Sequence, residues 1–303
     1  MSGEFSEARQ GENLTILERP DLRSPILVAA FAGWPDAAEA ATRAVYFLRQ
    51  RLQATKLAEI RPDAFLDLTT IRPKVVIHEG LLEEYSVPTN AFFWVHNRRG
   101  EHDLILLEGV EPNLRWQSYV DLILDFAQSL YVSKVISLGG LYDQVPHTAP
   151  TPISAVVSQP DLRAELLAAG ISPSDYQGPS SLHSLLLQEC RVRAIPALSL
   201  WAHASGYVQV AWNAKATYSL VAHLLPILGL RVDIEELRSA SEFLETTLDR
   251  LVDEDPDARQ HVQRLEDQFE QEHPAPPSPG SGRIFDEIRE LLNKPEEPPE
   301  EES

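Results

Sequence analysis

The sequence is poor in several things, and each shortage excludes a class of protein. With one cysteine, Cys190, in 303 residues, the chain can form neither an intramolecular disulfide nor a cysteine-based zinc cluster, which suits a reducing cytosol. No stretch approaches the ~18 consecutive apolar residues of a membrane span. Met1 to Pro20 also lacks the basic start and apolar run of a secretion signal. Basic residues are scarce: 26 Lys and Arg stand against 46 Asp and Glu, a formal net charge of −20. A nucleic-acid backbone or an anionic bilayer repels such a surface. The expectation is a soluble, cytoplasmic, acidic protein that binds neither nucleic acid nor membrane. Absent too are a Gly-x-x-x-x-Gly-Lys-Ser/Thr phosphate loop, a Gly-x-Gly-x-x-Gly after a strand, a Gly-x-Ser-x-Gly elbow and His-Glu-x-x-His. No cofactor and no metal site are expected, and a non-enzymatic role is favoured.

What is present, 43% hydrophobic and 24% charged residues, is an ordinary globular composition. Strand-length apolar runs bounded by Gly, Pro or charge occur at Ile26–Phe31, Lys74–Ile77, Ala91–Val95, Asp103–Leu107, Lys134–Leu138, Ile153–Val157 and Ile195–Trp201. They read as strands buried on both faces. Between them, Ala37, Ala41, Ala44, Val45, Leu48 and Leu52 mark one face of a helix that Trp34-Pro35-Asp36 would start. Trp116, Val120, Ile123, Leu124, Ala127 and Leu130 mark a second helix. A third spans roughly 213–228. Interleaved strands and helices predict a three-layer α/β/α sandwich around a mainly parallel or mixed sheet.

After Val232 the spacing becomes heptad: Ile234, Leu237, Leu244, Leu248, Leu251, Val262, Leu265 and Phe269 share one a/d register. Asp255-Pro256 is a cap followed by a first-turn proline, so two helices are expected rather than one rod. They pack on the body or lend their seam to a neighbouring subunit. Residues 251–303 hold 16 acidic and 5 basic side chains, and seven of the 23 prolines follow His273. The expected organisation is a flexible N-terminus at 1–13, an α/β/α core at 14–232, a helical extension at 233–272 and a flexible acidic tail at 273–303. Within the tail, Ile284, Phe285, Ile288, Leu291 and Leu292 make a short amphipathic segment at 284–292.

Four polar or Gly/Pro-rich clusters follow strands, where open α/β sheets place their ligand sites. In the first, residues 31–36, Gly33 permits a sharp turn beside Trp34, and Asp36 either caps the helix start or leaves its amides to an anion. In the second, residues 108–116, Glu111 and Arg115 are spaced to pair across a helix start. The third, residues 139–150, joins Gly139 and Gly140 to His147 and Thr148 on a proline-bounded loop. The fourth, residues 201–207, carries His203 and Tyr207. His147 and His203 are the candidate acid/base residues, and would share a rim if their strands are neighbours. Cys190 sits on a helix face that reads as buried, where a thiol is inert.

In this order the clusters resemble the actinobacterial branch of the proteasome assembly chaperone 2 family. The resemblance runs over about residues 14–272 and is carried by Ala-Gly-Trp-Pro-Asp-Ala, Glu-Gly-Val-Glu-Pro-Asn-Leu-Arg-Trp, Leu-Gly-Gly-Leu, Pro-His-Thr-Ala-Pro-Thr-Pro and Trp-Ala-His-Ala-Ser-Gly-Tyr-Val. It implies a body similar to nucleoside phosphorylases, a homo-oligomer, and a chaperone role toward proteasome subunits. No catalytic residue transfers with it. Ring-binding relatives dock through a hydrophobic-Tyr-any residue tail, whereas the sequence closes on Glu301-Glu302-Ser303, so that docking mode is not expected. The alternative is a small-molecule enzyme cleaving nucleosides or phosphate esters, with His147 or His203 moving the proton.

Overall fold

The apolar runs are too short for helices and rich in Val, Ile, Leu and Ala, and they pair as strands in a computed structural model that describes residues 13–273. Apart from Asn13 and His273, the expected flexible N-terminus and the acidic tail with its segment 284–292 lie outside the described residues. The strands are β1 (Leu14–Ile16), β2 (Ile26–Ala32), β3 (Thr55–Ile60), β4 (Lys74–His78), β5 (Leu81–Ser86), β6 (Asn90–Val95), β7 (Leu104–Val110), β8 (Lys134–Asp143), β9 (Ile153–Val157), β10 (Ser172–Pro173) and β11 (Ala197–Ser205). The helices are α1 (Ala40–Arg51), α2 (Trp116–Ser129), α3 (Leu162–Ala168), α4 (Leu182–Val192), α5 (Ala214–Ile227), α6 (Glu235–Glu254) and α7 (Pro256–Glu272).

Among the described residues, nine strands form one mixed sheet in the order β1-β3-β6-β7-β2-β8-β11-β9-β10. Its centre, β7-β2-β8-β11, is parallel throughout, and β11 meets β9 antiparallel. Alternation along the central strands sorts side chains into two cores. On one face Val28, Ala30, Leu138 and Leu200 pack with α1 and α5. On the other Leu27, Ala29, Phe31 and Val135 pack with α2 and α4. Covered on both faces, these strands read as continuous apolar runs, and the architecture is the expected α/β/α sandwich.

Three local expectations are corrected. Lys74–Ile77 is not a buried strand: β4 pairs only with β5, in a separate ribbon whose residues are all exposed. Glu79 and Gly80, both at positive φ, close that hairpin. Beside β6, whose flanks are already taken by β3 and β7, no sheet edge remains for it. The first helix starts at Ala40 rather than at the Trp34-Pro35-Asp36 turn, because Ala38 and Glu39 take left-handed conformations. Finally, β8 and β11 run past the expected ends to Asp143 and Ser205, since their parallel pairing continues from Ala197↔Val135 to Ser205↔Asp143.

The heptad region forms two helices. The Asp255 side chain accepts hydrogen bonds from the N–H groups of Asp257 and Ala258 at the head of α7, and Pro256 occupies its first turn. Leu237 and Ser241 of α6 and Val262 and Leu265 of α7 are buried. The pair lies on the body, with Leu237 joining the core under α1 and α5.

Candidate functional site at the carboxyl rim of the sheet

Because β7, β2, β8 and β11 are parallel, their carboxyl ends open on one rim, and all four sequence clusters meet there. Backbone hydrogen bonds stitch them together. Glu111 N–H donates to Ala32 O at 2.9 Å, Gly140 N–H to Pro35 O at 2.8 Å, Gly206 N–H to Asp143 O at 2.8 Å, and Asn213 N–H to Ala38 O at 3.0 Å. Residues remote in the chain thus share one edge of the sheet.

The first cluster is a capped turn. Gly33 holds φ +131°, a conformation open in practice to glycine, and Trp34 beside it is 64% exposed. Asp36 accepts from Ala41 N–H at 2.7 Å and from the Thr42 hydroxyl. Burial pushes its carboxyl up to about 6 against those hydrogen bonds. The amides an anion would use are therefore occupied by the chain's own carboxylate. In the second cluster the expected Glu111–Arg115 pair does not form. Arg115 turns through φ +55° ahead of α2, so the two residues do not share a helical turn. Glu111 Oε1 instead accepts from Leu182 N–H at 2.8 Å, at the head of α4.

Gly139 and Gly140 lie inside β8, and each permits a close approach. A Cβ on Gly139 would stand 2.5 Å from the Trp201 ring, its register partner on β11, and one on Gly140 would stand 3.2 Å from the Ala37 backbone. Beyond β8, His147 is 3% exposed. Its Nδ1 lies 2.5 Å from the Tyr207 hydroxyl and its Nε2 3.1 Å from Asp249 Oδ1 on α6. Thr148 donates to Glu266 on α7 at 2.6 Å. Lys215 donates to the His147 carbonyl and, at 2.5 Å, to Glu245 on α6. The Pro-His-Thr turn, Tyr207 and Lys215 thus form a latch that holds the helical pair to the body. The cavity beside His147 is about 10 Å³, room for one water at most.

His203 faces elsewhere. Its Nδ1 is 2.6 Å from Asp143 Oδ2 and its Nε2 2.8 Å from the Ser154 hydroxyl on β9. The hydrogen bond to His203 holds the Asp143 carboxyl below its usual range. The two imidazoles sit on adjacent strand ends, as expected, but share no partner. A carboxylate that orients an imidazole beside a hydroxyl is the arrangement of a general base. Sequence reasoning passed over Ser154 and Asp249. Nothing local marks them, whereas the β8–β11 register alone would have placed Asp143 near His203. Among the described residues no three His, Cys, Asp or Glu side chains are grouped to hold a metal ion.

Residues 30–252 match the model of the PAC2 family. A PAC2 family protein from Streptomyces avermitilis is 33% identical, with a TM-score of 0.71, over 78% of this chain and 99% of its own. A Mycobacterium tuberculosis proteasome-assembly chaperone homologue is 31% identical, with a TM-score of 0.72, over 78% and 99%. A Pyrococcus furiosus archaeal proteasome activator shares the fold at 23% identity and a TM-score of 0.63, over 78% and 97%. No curated protein matches.

Proposed function

The chain belongs to the PAC2 family, and from that premise we propose that it is a chaperone-like interaction protein that self-associates and acts on a protein assembly, proteasome subunits first among the candidates. The observation that carries this reading is the β4–β5 ribbon. Val75, Val76, Ile77, Leu81, Leu82 and Tyr85 are all exposed there, Ile77 and Leu81 by 63% and 68%. A two-stranded ribbon is marginal in water by itself; Val75 is paired with Tyr85 and Ile77 with Leu82 across it, and an exposed apolar patch of this kind marks a contact with another polypeptide. The relatedness to a protein described as a proteasome-assembly chaperone homologue supports the choice of partner.

Two measurements test it. Light scattering at micromolar concentration should report an oligomer, and the double variant Ile77→Asp, Leu81→Asp should shift it toward the monomer with its circular dichroism unchanged. Co-purification with the host core-particle α subunit should succeed with the wild-type chain. A wild-type monomer, or no α-subunit binding in any assembly state, refutes the corresponding half of the proposal.

The Asp143–His203–Ser154 geometry favours a second reading, cleavage of nucleosides or phosphate esters with His203 moving the proton. A thermal-shift screen with nucleosides, nucleotides and phosphate tests it: a ligand at about 100 times its dissociation constant adds about 2.7 kcal/mol. A flat screen, or His203→Ala leaving a measured activity untouched, removes it.

A further inference from the structure

Beyond α4 the sheet face is open, and a cleft of about 260 Å³ lies between that helix and strands β9 and β11, just under the ~300–1,000 Å³ of drug-sized ligand pockets and so fitted to a smaller molecule. Three features of its lining point to an occupant. First, His183 of α4 borders the cleft at 1% exposure, and neither ring nitrogen has a hydrogen-bond partner. A neutral imidazole carries one donor and one acceptor, and leaving them unpaired is a cost that native structures rarely keep without a use. Second, the Trp201 ring lies 5.0 Å from that imidazole, centre to centre. It is seated where Gly139 has no Cβ to obstruct it, so it offers a flat apolar wall. Third, Arg191 on the outer side is exposed and in no ion pair among the described residues. Among the described residues no carboxylate lines the cleft.

We propose that this cleft binds a small planar organic anion, its ring laid against Trp201 and the His183 imidazole and its negative group held by Arg191. The aromatic wall supplies stacking area and the guanidinium a charge-assisted hydrogen bond, while the His183 nitrogens, closed to solvent as they stand, reach the ligand by a turn of the imidazole toward the cleft. The site is separate from the His147 latch and from the β4–β5 ribbon, and holds whether or not the chain acts on a protein assembly.

Titration calorimetry of the full chain with 2-naphthoate, with neutral 2-naphthamide as its isostere and inorganic phosphate as a charge without a ring, tests the assignment. Saturable binding of the naphthoate is expected, with the amide and phosphate each weaker by about tenfold or more, as loss of a charge-assisted bond or of stacking implies. Arg191→Gln, an exposed change, should weaken the naphthoate by a similar factor, and saturation should move the ring ¹⁵N resonances of His183. Equal affinity for acid and amide, full affinity in Arg191→Gln, unmoved His183 resonances or the absence of saturable naphthoate binding would each overturn it.

Discussion

His183 and Asp36 are buried titratable groups that respond to acid in opposite directions. Burial lowers the imidazole of His183 to about 3, so between about 6.5 and 3 the unfolded chain takes up a proton that the folded one refuses. Its contribution is intact above pH 6.5 and lost as pH falls. Burial raises Asp36 to about 6, so between about 6 and 3.8 the folded state binds the proton more tightly. Its contribution grows as pH falls through 6 and vanishes as pH rises. Urea unfolding should therefore show His183→Leu retaining about 2 kcal/mol more than wild type on going from pH 7 to pH 5. Asp36→Asn should lose about 1 kcal/mol more than wild type over the same interval. Identical pH slopes in all three proteins would exclude burial as the cause. Gly139→Ala should cost about 1–3 kcal/mol by overpacking, because its Cβ would stand 2.5 Å from the Trp201 ring. Most of that loss should return in the pair with Trp201→Leu. Cys190, fully buried with its thiol raised to about 12, should resist alkylation until the chain unfolds.

At the scale of elements, two attachments have different characters. The α6–α7 pair is held by apolar burial at Leu237, Val262 and Leu265 and by the polar latch of His147, Tyr207, Lys215 and Thr148. His147→Ala removes the imidazole that joins the half-buried Tyr207 hydroxyl to Asp249 and leaves that hydroxyl only the N–H of residue 147, which the alanine keeps. It should cost about 1–3 kcal/mol and raise amide exchange in α6 ahead of exchange in β2 and β8. Uniform exchange across the molecule would show that the latch is not a separable unit. The β4–β5 ribbon instead pairs with no strand of the main sheet, and all its strand residues are exposed. Its stability should depend on protein concentration if a second copy covers it.

For the molecule as a whole, the net charge of −20 opposes association of like copies. In the proposed self-association, short-range apolar contact at the ribbon has to exceed that repulsion. Added salt screens the charge, so the proposed self-association, read by light scattering, should strengthen as ionic strength rises. Weakening with salt would instead assign the contact to ion pairs.

Elements with a strong period were legible without coordinates: the apolar runs of β2, β8 and β9, the stripe of α2, and the α6–α7 break at Asp255-Pro256. For these, burial by neighbours only reinforces local pattern and capping chemistry. The apolar run at Lys74–Ile77 was legible as a strand and misread as buried, because composition reports β-propensity and says nothing about which sheet edge is free. The four clusters were recognisable as rim segments from glycines, prolines and polar residues after strands. Their partners were not: Glu111 with Leu182, His147 with Asp249, and His203 with Asp143 and Ser154 are separated by 71, 102, 60 and 49 residues. Sequence by itself determined where strongly periodic elements form and where glycine, proline and capping residues interrupt them. Only tertiary structure decided which polar groups meet, because hydrogen bonds are short and directional, and register across non-adjacent strands sets every such distance.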